Sequence, residues 1–144
     1  MECTVRWQPE VGMAFNAETG SGHLIAMDGA PEGGGRNLAP RPMEMVLVGT
    51  GGCTAYDVMV ILKKSGQDVT ACEVAVSADR AETDPKVFTR IRMHFKLRGR
   101  ALKPRMVEQA IRLSHDKYCS ASIMLGKTAE ITVDYEIAGE DAAA

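Results

Sequence analysis

Four cysteines, at positions 3, 53, 72 and 119, are the residues of this 144-residue chain best suited to chemistry. They form no Cys-x-x-Cys pair and no Cys/His cluster with finger spacing, so no structural zinc is expected and thiol reactivity becomes the question. Cys53 stands in Gly49-Thr50-Gly51-Gly52-Cys53-Thr54-Ala55-Tyr56-Asp57, inside an otherwise apolar stretch. Three glycines so close together cost about 1 kcal/mol each relative to alanine in a helix interior, so a close approach or an opening should offset them. Equally, they fit a helix against which another backbone simply packs. Cys119 lies in His115-Asp116-Lys117-Tyr118-Cys119-Ser120-Ala121-Ser122, where one helix ends and another begins. Backbone N–H groups at a helix start, with Lys117 and His115 nearby, lower a thiol pKa and favour the nucleophilic thiolate. Position alone leaves each of these two cysteines open to either reading, inert packing or reactive thiol. Cys3 and Cys72 fit apolar strand faces and read as structural.

The elements that must position these thiols follow from periodicity. Met43 to Leu62 is long and apolar enough to pass for a membrane span, but it carries Glu44, Asp57 and three glycines, and no second such run accompanies it. It reads instead as a central core helix, over 42–64, opened by Pro42. Being apolar on nearly every side, it must be wrapped, by a sheet on one side and a partner subunit on the other. Before it, Cys3, Val5 and Trp7 alternate with polar residues, and short extended runs near 12–17 and 22–27 flank Glu18-Thr19-Gly20-Ser21-Gly22. Residues 1–27 therefore predict an N-terminal β-meander. The glycine-rich 28–37 predicts a mobile surface connector.

After the helix, residues 70–137 predict strands and a second helix. Thr70 to Ala78 alternates Cys72, Val74 and Val76 with polar positions. A longer strand sets Val87, Thr89, Ile91, Met93, Phe95 and Leu97 on one face and Arg90, Arg92, His94, Lys96 and Arg98 on the other. The last strand carries Ile131, Val133, Tyr135 and Ile137 opposite Glu130, Thr132, Asp134 and Glu136. If the two are neighbours, the basic and acidic stripes pair across the sheet. Between them, Pro104 opens a helix to about Lys117 that buries Val107, Ala110, Ile111 and Ser114. A short turn of helix, Ser120 to Leu125, stops at Gly126.

Composition is that of one soluble globular domain: 45% apolar, 25% charged, with 17 basic and 19 acidic residues and a formal charge of −2. This excludes disorder and a nucleic-acid binder held by bulk charge. A chain this long buries roughly 68–70% of its extended surface, enough for a core without staples. The N-terminal residues lack a basic segment followed by an apolar one, so a cytoplasmic location is expected and no membrane partner.

Pro42 to Val58, with its Gly-Gly-Cys, and Ser114 to Ser120, with its Tyr-Cys-Ser, occur in the order and separation of the OsmC-like family of peroxide-detoxifying proteins, which this chain resembles along its whole length. It is most similar to the YhfA-like branch. The resemblance implies a single OsmC-like domain of α+β class, with antiparallel sheets around a central buried helix, intertwined as a homodimer. It implies that Cys53 is peroxidatic and Cys119 resolving: Cys53 attacks the distal oxygen of a small hydrophobic peroxide, and the sulfenate condenses with Cys119 to a disulfide. A dithiol or lipoyl-type reductant closes the cycle, and no metal or organic cofactor takes part. In hydroperoxide reductases of the family a Glu follows the Pro of this helix and holds an Arg beside the thiol. Here Met43 takes that place and Glu44 comes next, about 100° around the helix. Arg36 and Arg41, just before the helix, are the candidate cations, or else exposed loop charges. Those reductases also have a Pro after the resolving Cys, where this chain has Ser120. His115, one helical turn before Cys119, either tunes that thiol or serves as a surface or capping histidine. Two further functions fit the same fold: a non-catalytic binder of small hydrophobic ligands, and a thiol redox sensor.

Overall fold

The structure, a computed structural model, describes residues 1–139. The chain divides into two compact units, with the boundary between Val46 and Leu47. In the first, β1 (Cys3–Gln8), β2 (Ala14–Thr19) and β3 (Leu24–Met27) form an antiparallel meander in the order β1-β2-β3. The second strand begins two residues later than its hydrophobic pattern suggests. Gly12, at φ 72°, ends a tight helical turn first, and Trp7 closes that corner by donating from Nε1 to the Gly12 carbonyl (2.7 Å). Val5 and Trp7 share one sheet face, yet both stay more than half exposed. Cys3, expected within an apolar face, is exposed at the start of β1.

The glycine-rich connector is built around one buried carboxylate. Asp28 accepts hydrogen bonds from the N–H groups of Gly29 (2.7 Å), Arg36 (3.2 Å) and Leu38 (3.2 Å). Here glycine is a steric requirement: a Cβ at Gly35 would collide with the Gly29 carbonyl oxygen. The donors from Gly29 and Leu38 outweigh burial and, with the Arg36 N–H and charge, hold the Asp28 carboxyl below its ordinary value of 3.8. A carboxyl whose folded pKa is depressed contributes fully above its unfolded value and loses that contribution as pH falls through the folded one. Replacing Asp28→Asn is therefore expected to lower Tm at neutral pH and to flatten the acid loss of stability below pH 3.8. Thermal unfolding of both proteins across the acid range checks this.

The long helix, α1 (Pro42–Lys64), leaves the connector with its start capped in reverse: the Glu44 carboxylate accepts the Arg41 N–H (2.9 Å) while the Arg41 carbonyl accepts the Met45 N–H (3.1 Å). Among the described residues it is the one helix long and apolar enough to cross a membrane by length and composition, and 28% of that window is buried inside the chain. The buried positions, Thr50, Gly51, Thr54, Val58 and Leu62, recur every turn and form a single stripe. A Cβ at Gly51 would come within 2.9 Å of Val76, whereas one at Gly49 or Gly52 would meet nothing in the chain. One glycine of the three thus answers the expected close approach to a neighbouring strand.

In the second unit β4 (Asp68–Arg80), β5 (Phe88–Arg100) and β6 (Glu130–Ile137) form a sheet of order β4-β5-β6. The expected antiparallel sheets are corrected here: β4 and β5 pair antiparallel, but β6 runs parallel to β5. Parallel neighbours need a crossover, and α2 (Pro104–Leu113) with α3 (Ser120–Leu125) supplies it. A register shift between Asp79 and Arg80 also places Phe88, rather than Val87 and Thr89, in the core. Val58 and Leu62 of α1, Phe95 and Leu97 of β5, and Val107, Ala110 and Ile111 of α2 make that core. On the opposite sheet face the two charge stripes meet as expected. Arg90 lies 3.7 Å from Glu130, His94 2.7 Å from Asp134 and Lys96 3.3 Å from Glu136, so the basic stripe is paired with the acidic one.

Candidate functional site

Cys53 and Cys119 come together. Cys53 projects from the middle of α1, and Asp57 follows one turn later on the same face. The sulfurs of Cys53 and Cys119 and a carboxylate oxygen of Asp57 all lie within 4.8 Å of one another. Cys53 is partly exposed, whereas Cys119 is fully buried.

Cys119 reaches this place through a local irregularity. Residues Ser114–Tyr118 leave α2 as a single π-helical turn, with the Cys119 N–H donating to the Ser114 carbonyl (2.8 Å). Such turns carry one extra residue and recur at functional sites. Widening the turn to i→i+5 stacks Ser114, not His115, beneath Cys119. His115 accordingly lines a groove with Ile111, Ile131 and Val133, and its Nδ1 is buried with no hydrogen-bond partner among the described residues. Lys117 lies over the exposed ring of Tyr118 (5.2 Å to its centroid). Neither side chain is among the groups that shift the Cys119 thiol.

Neutral donors take their place. Cys119 is the N-cap residue of α3, its Sγ accepting the Ser122 N–H at 3.4 Å. Thr54 Oγ1 lies 3.2 Å from Cys119 Sγ and 3.2 Å from Ser122 Oγ, and it donates to the Thr50 carbonyl at 3.0 Å. The Ser114 hydroxyl donates to the Thr54 carbonyl (3.2 Å) and ties α1 to the π turn. Counting protons assigns two states to this network. With Cys119 neutral, Thr54 donates to Thr50 and accepts from the thiol and from Ser122. With Cys119 ionised, the Thr54 proton turns onto the sulfur and joins the Ser122 N–H. One hydroxyl rotation therefore serves both forms.

The two thiols are poised in opposite directions. Burial raises the Cys119 thiol, but hydrogen bonds from the Ser122 hydroxyl, Thr54, the Ser122 N–H and Cys53 outweigh it and hold the group below its ordinary 9.0. Burial also raises Cys53; the Ala121 N–H opposes this, while Cys119 and the Asp57 carboxylate push it further up, so it stays above 9.0. The first proton to leave the pair is thus shared with, or lost from, the buried sulfur.

The other predicted residues are placed as follows. Glu44 caps α1 through the Arg41 N–H, and the Arg36 and Arg41 side chains are exposed in the first unit, where Arg36 also faces Asp28. Cys72, partly buried on β4, packs against the core, in keeping with a structural role. The sequence reading missed Asp57, Thr54, Ser114 and Ser122. Two spacings contained the signal: Cys53 and Asp57 are one helical turn apart, and Ser122 stands three residues after a helix-capping Cys119.

A family model described as OsmC-like protein matches residues 33–135. The protein YhfA of Escherichia coli K12 is 46% identical over 137 residues, covering 95% of this chain and 98% of its own. A hypothetical protein from Aquifex aeolicus VF5 superposes with a TM-score of 0.83 at 28% identity, over 97% of both chains. An organic hydroperoxide resistance protein from Elizabethkingia anophelis superposes with a TM-score of 0.72 at 13% identity, over 94% of both, and so shares the fold.

Proposed function

The chain belongs to the OsmC-like family, and on that premise we propose that it is a thiol-dependent peroxidase that reduces organic hydroperoxides at Cys53 and resolves the product with Cys119. The observation that carries this reading is the pairing of an accessible thiol with a buried one held below its ordinary pKa, within 4.8 Å. A solved structure with the same fold is that of an organic hydroperoxide resistance protein.

The cycle follows from that asymmetry. Cys119, as thiolate, takes the Cys53 proton while the Cys53 sulfur attacks the distal peroxide oxygen. The O–O bond breaks, Cys53 becomes a sulfenate and the alkoxide leaves as alcohol with a proton from solvent. Cys119 then attacks the sulfenate sulfur, the S–O bond breaks and water departs, leaving a Cys53–Cys119 disulfide. A dithiol or lipoyl-type reductant returns both thiols. The cycle calls for no metal or organic cofactor, and a reducing cytoplasm suits its resting state.

The working unit in this reading is a homodimer. Val46, Val48 and Tyr56 lie exposed on α1 at 38%, 63% and 72%, and Gly49 and Gly52 present bare backbone, the kind of face a second copy covers. An apolar interface beside Cys53 would select hydrophobic peroxides.

Mixing the reduced protein with one equivalent of cumene hydroperoxide tests the reading. Loss of two hydrogens per chain, a Cys53–Cys119 link in the peptide map and recovery by dithiol are the expected results. Peroxide that persists beside two free thiols overturns it and leaves the fold to ligand binding.

A further inference from the structure

We propose that Cys53, Asp57 and Cys119 form a site for a thiophilic divalent cation, with Zn²⁺ as the probe, which the reduced protein takes up and the disulfide form cannot hold. Two sulfurs and one carboxylate oxygen within 4.8 Å of one another are a mixed donor set of the kind zinc takes. Tetrahedral zinc, with bonds of about 2.0–2.3 Å, sets its ligands roughly 3.5–3.8 Å apart, so small side-chain rotations close the site. Finger-type spacing does not describe this set, because its third donor arrives on the crossover, far along the chain.

A separate observation points to the cation. Asp57 Oδ2 is buried and has no hydrogen-bond partner among the described residues. An unsatisfied buried carboxylate oxygen is costly, and a cation is the partner two adjacent sulfurs and a carboxylate share. Three protein ligands leave a fourth position for water, and the partial exposure of Cys53 and Asp57 gives a way in.

Capture of the cation stands on this geometry alone and does not depend on peroxidase activity; its release rests on that reading. Coordination of both sulfurs draws off their charge and slows their attack on peroxide. When an organic hydroperoxide does oxidise the pair, an S–S bond forms and the O–O bond breaks. Two electrons pass from the sulfurs to the peroxide, two protons come from solvent, alcohol and water leave, and the ion departs as Zn²⁺. The site is then a reversible lock on the thiols that also reports their oxidation.

The full reduced, chelator-stripped chain is titrated with Zn²⁺ by calorimetry and with Co²⁺ by absorbance, with peroxide turnover measured in parallel under chelator. One ion per chain is expected, with a thiolate-to-cobalt charge-transfer band. Asp57→Asn and Cys53→Ser should each weaken uptake at least about tenfold, and Cys72→Ser should leave it unchanged. Circular dichroism confirms that each variant folds. No stoichiometric uptake by the parent chain, or equal uptake by a folded Asp57→Asn chain, overturns the inference. Turnover without uptake removes the metal site and keeps the peroxidase; uptake without turnover does the reverse.

Discussion

Cys53→Ser is expected to abolish dithiol-dependent consumption of cumene hydroperoxide, a loss of at least about a thousandfold, as when the nucleophile of a covalent mechanism is removed. A hydroxyl in that place is not ionised by a neighbouring thiolate, so Cys119 has nothing to deprotonate and nothing to resolve. Cys119→Ser separates the two roles. The accessible sulfur survives, so a single oxidation to sulfenate should still occur, trapped by a sulfenate-specific nucleophile. Without its proton acceptor and resolving partner, however, Cys53 should react slowly and fail to cycle. Oxidation of the Cys53→Ser chain at Cys119, with turnover retained, would reverse the assignment of attacker and resolver.

The second large effect is that of Thr54→Val, which keeps shape and removes one hydroxyl. Hydrogen bonds to a charged group contribute about 1.5–3 kcal/mol, so losing this one should raise the Cys119 thiol. Its parent value lies below 9.0, and the loss of thiolate is largest between that value and the raised one. Where the parent thiol is mostly protonated, the thiolate fraction, and the rate that depends on it, should drop about ten- to hundredfold and recover as pH rises. Ultraviolet thiolate absorbance against pH, together with the pH profile of peroxide consumption, reads both changes. A pair of interacting thiols titrates in two steps that belong to the pair, so the expected signature is a shift of the lower step with the upper one little moved.

What the sequence reveals follows how local each feature is. The α1 helix, its Gly-Gly-Cys, the alternation of β5 and β6 and the pairing of their charges are all written in single-segment periodicity. The parallel direction of β6 is not, because periodicity carries no sign and only the crossover through α2 and α3 decides it. The bulge that seats Phe88 shifts a strand by one residue against its own pattern, and propensity cannot see a partner's register. The π turn defeated the placement of His115 in the same way: the α-helical spacing puts His115 beneath Cys119, while the structure puts Ser114 there. The connector read as glycine-rich slack, yet Asp28 organises it, since one carboxylate gathering three backbone N–H groups leaves no periodic trace. For the site itself, the two thiols were legible as residue types. Their opposite poise was not, because it depends on Thr54 and Ser122 meeting Cys119 from different elements.

The crossover has a consequence for the order in which the molecule comes into being. Cys53 precedes the β4–β5 hairpin and Cys119 follows it, so the sulfurs are close in space but remote along the chain. Contacts of that kind pay their loop-closure entropy late, after the local hairpin and helices exist. A chain emerging from synthesis therefore carries two ordinary, separated thiols, and neither the hydroxyl relay nor the paired sulfurs exist until the α2–α3 segment docks on α1. Reactivity in this design is a property of the completed topology, so oxidant encounters the poised pair only in molecules that have finished folding.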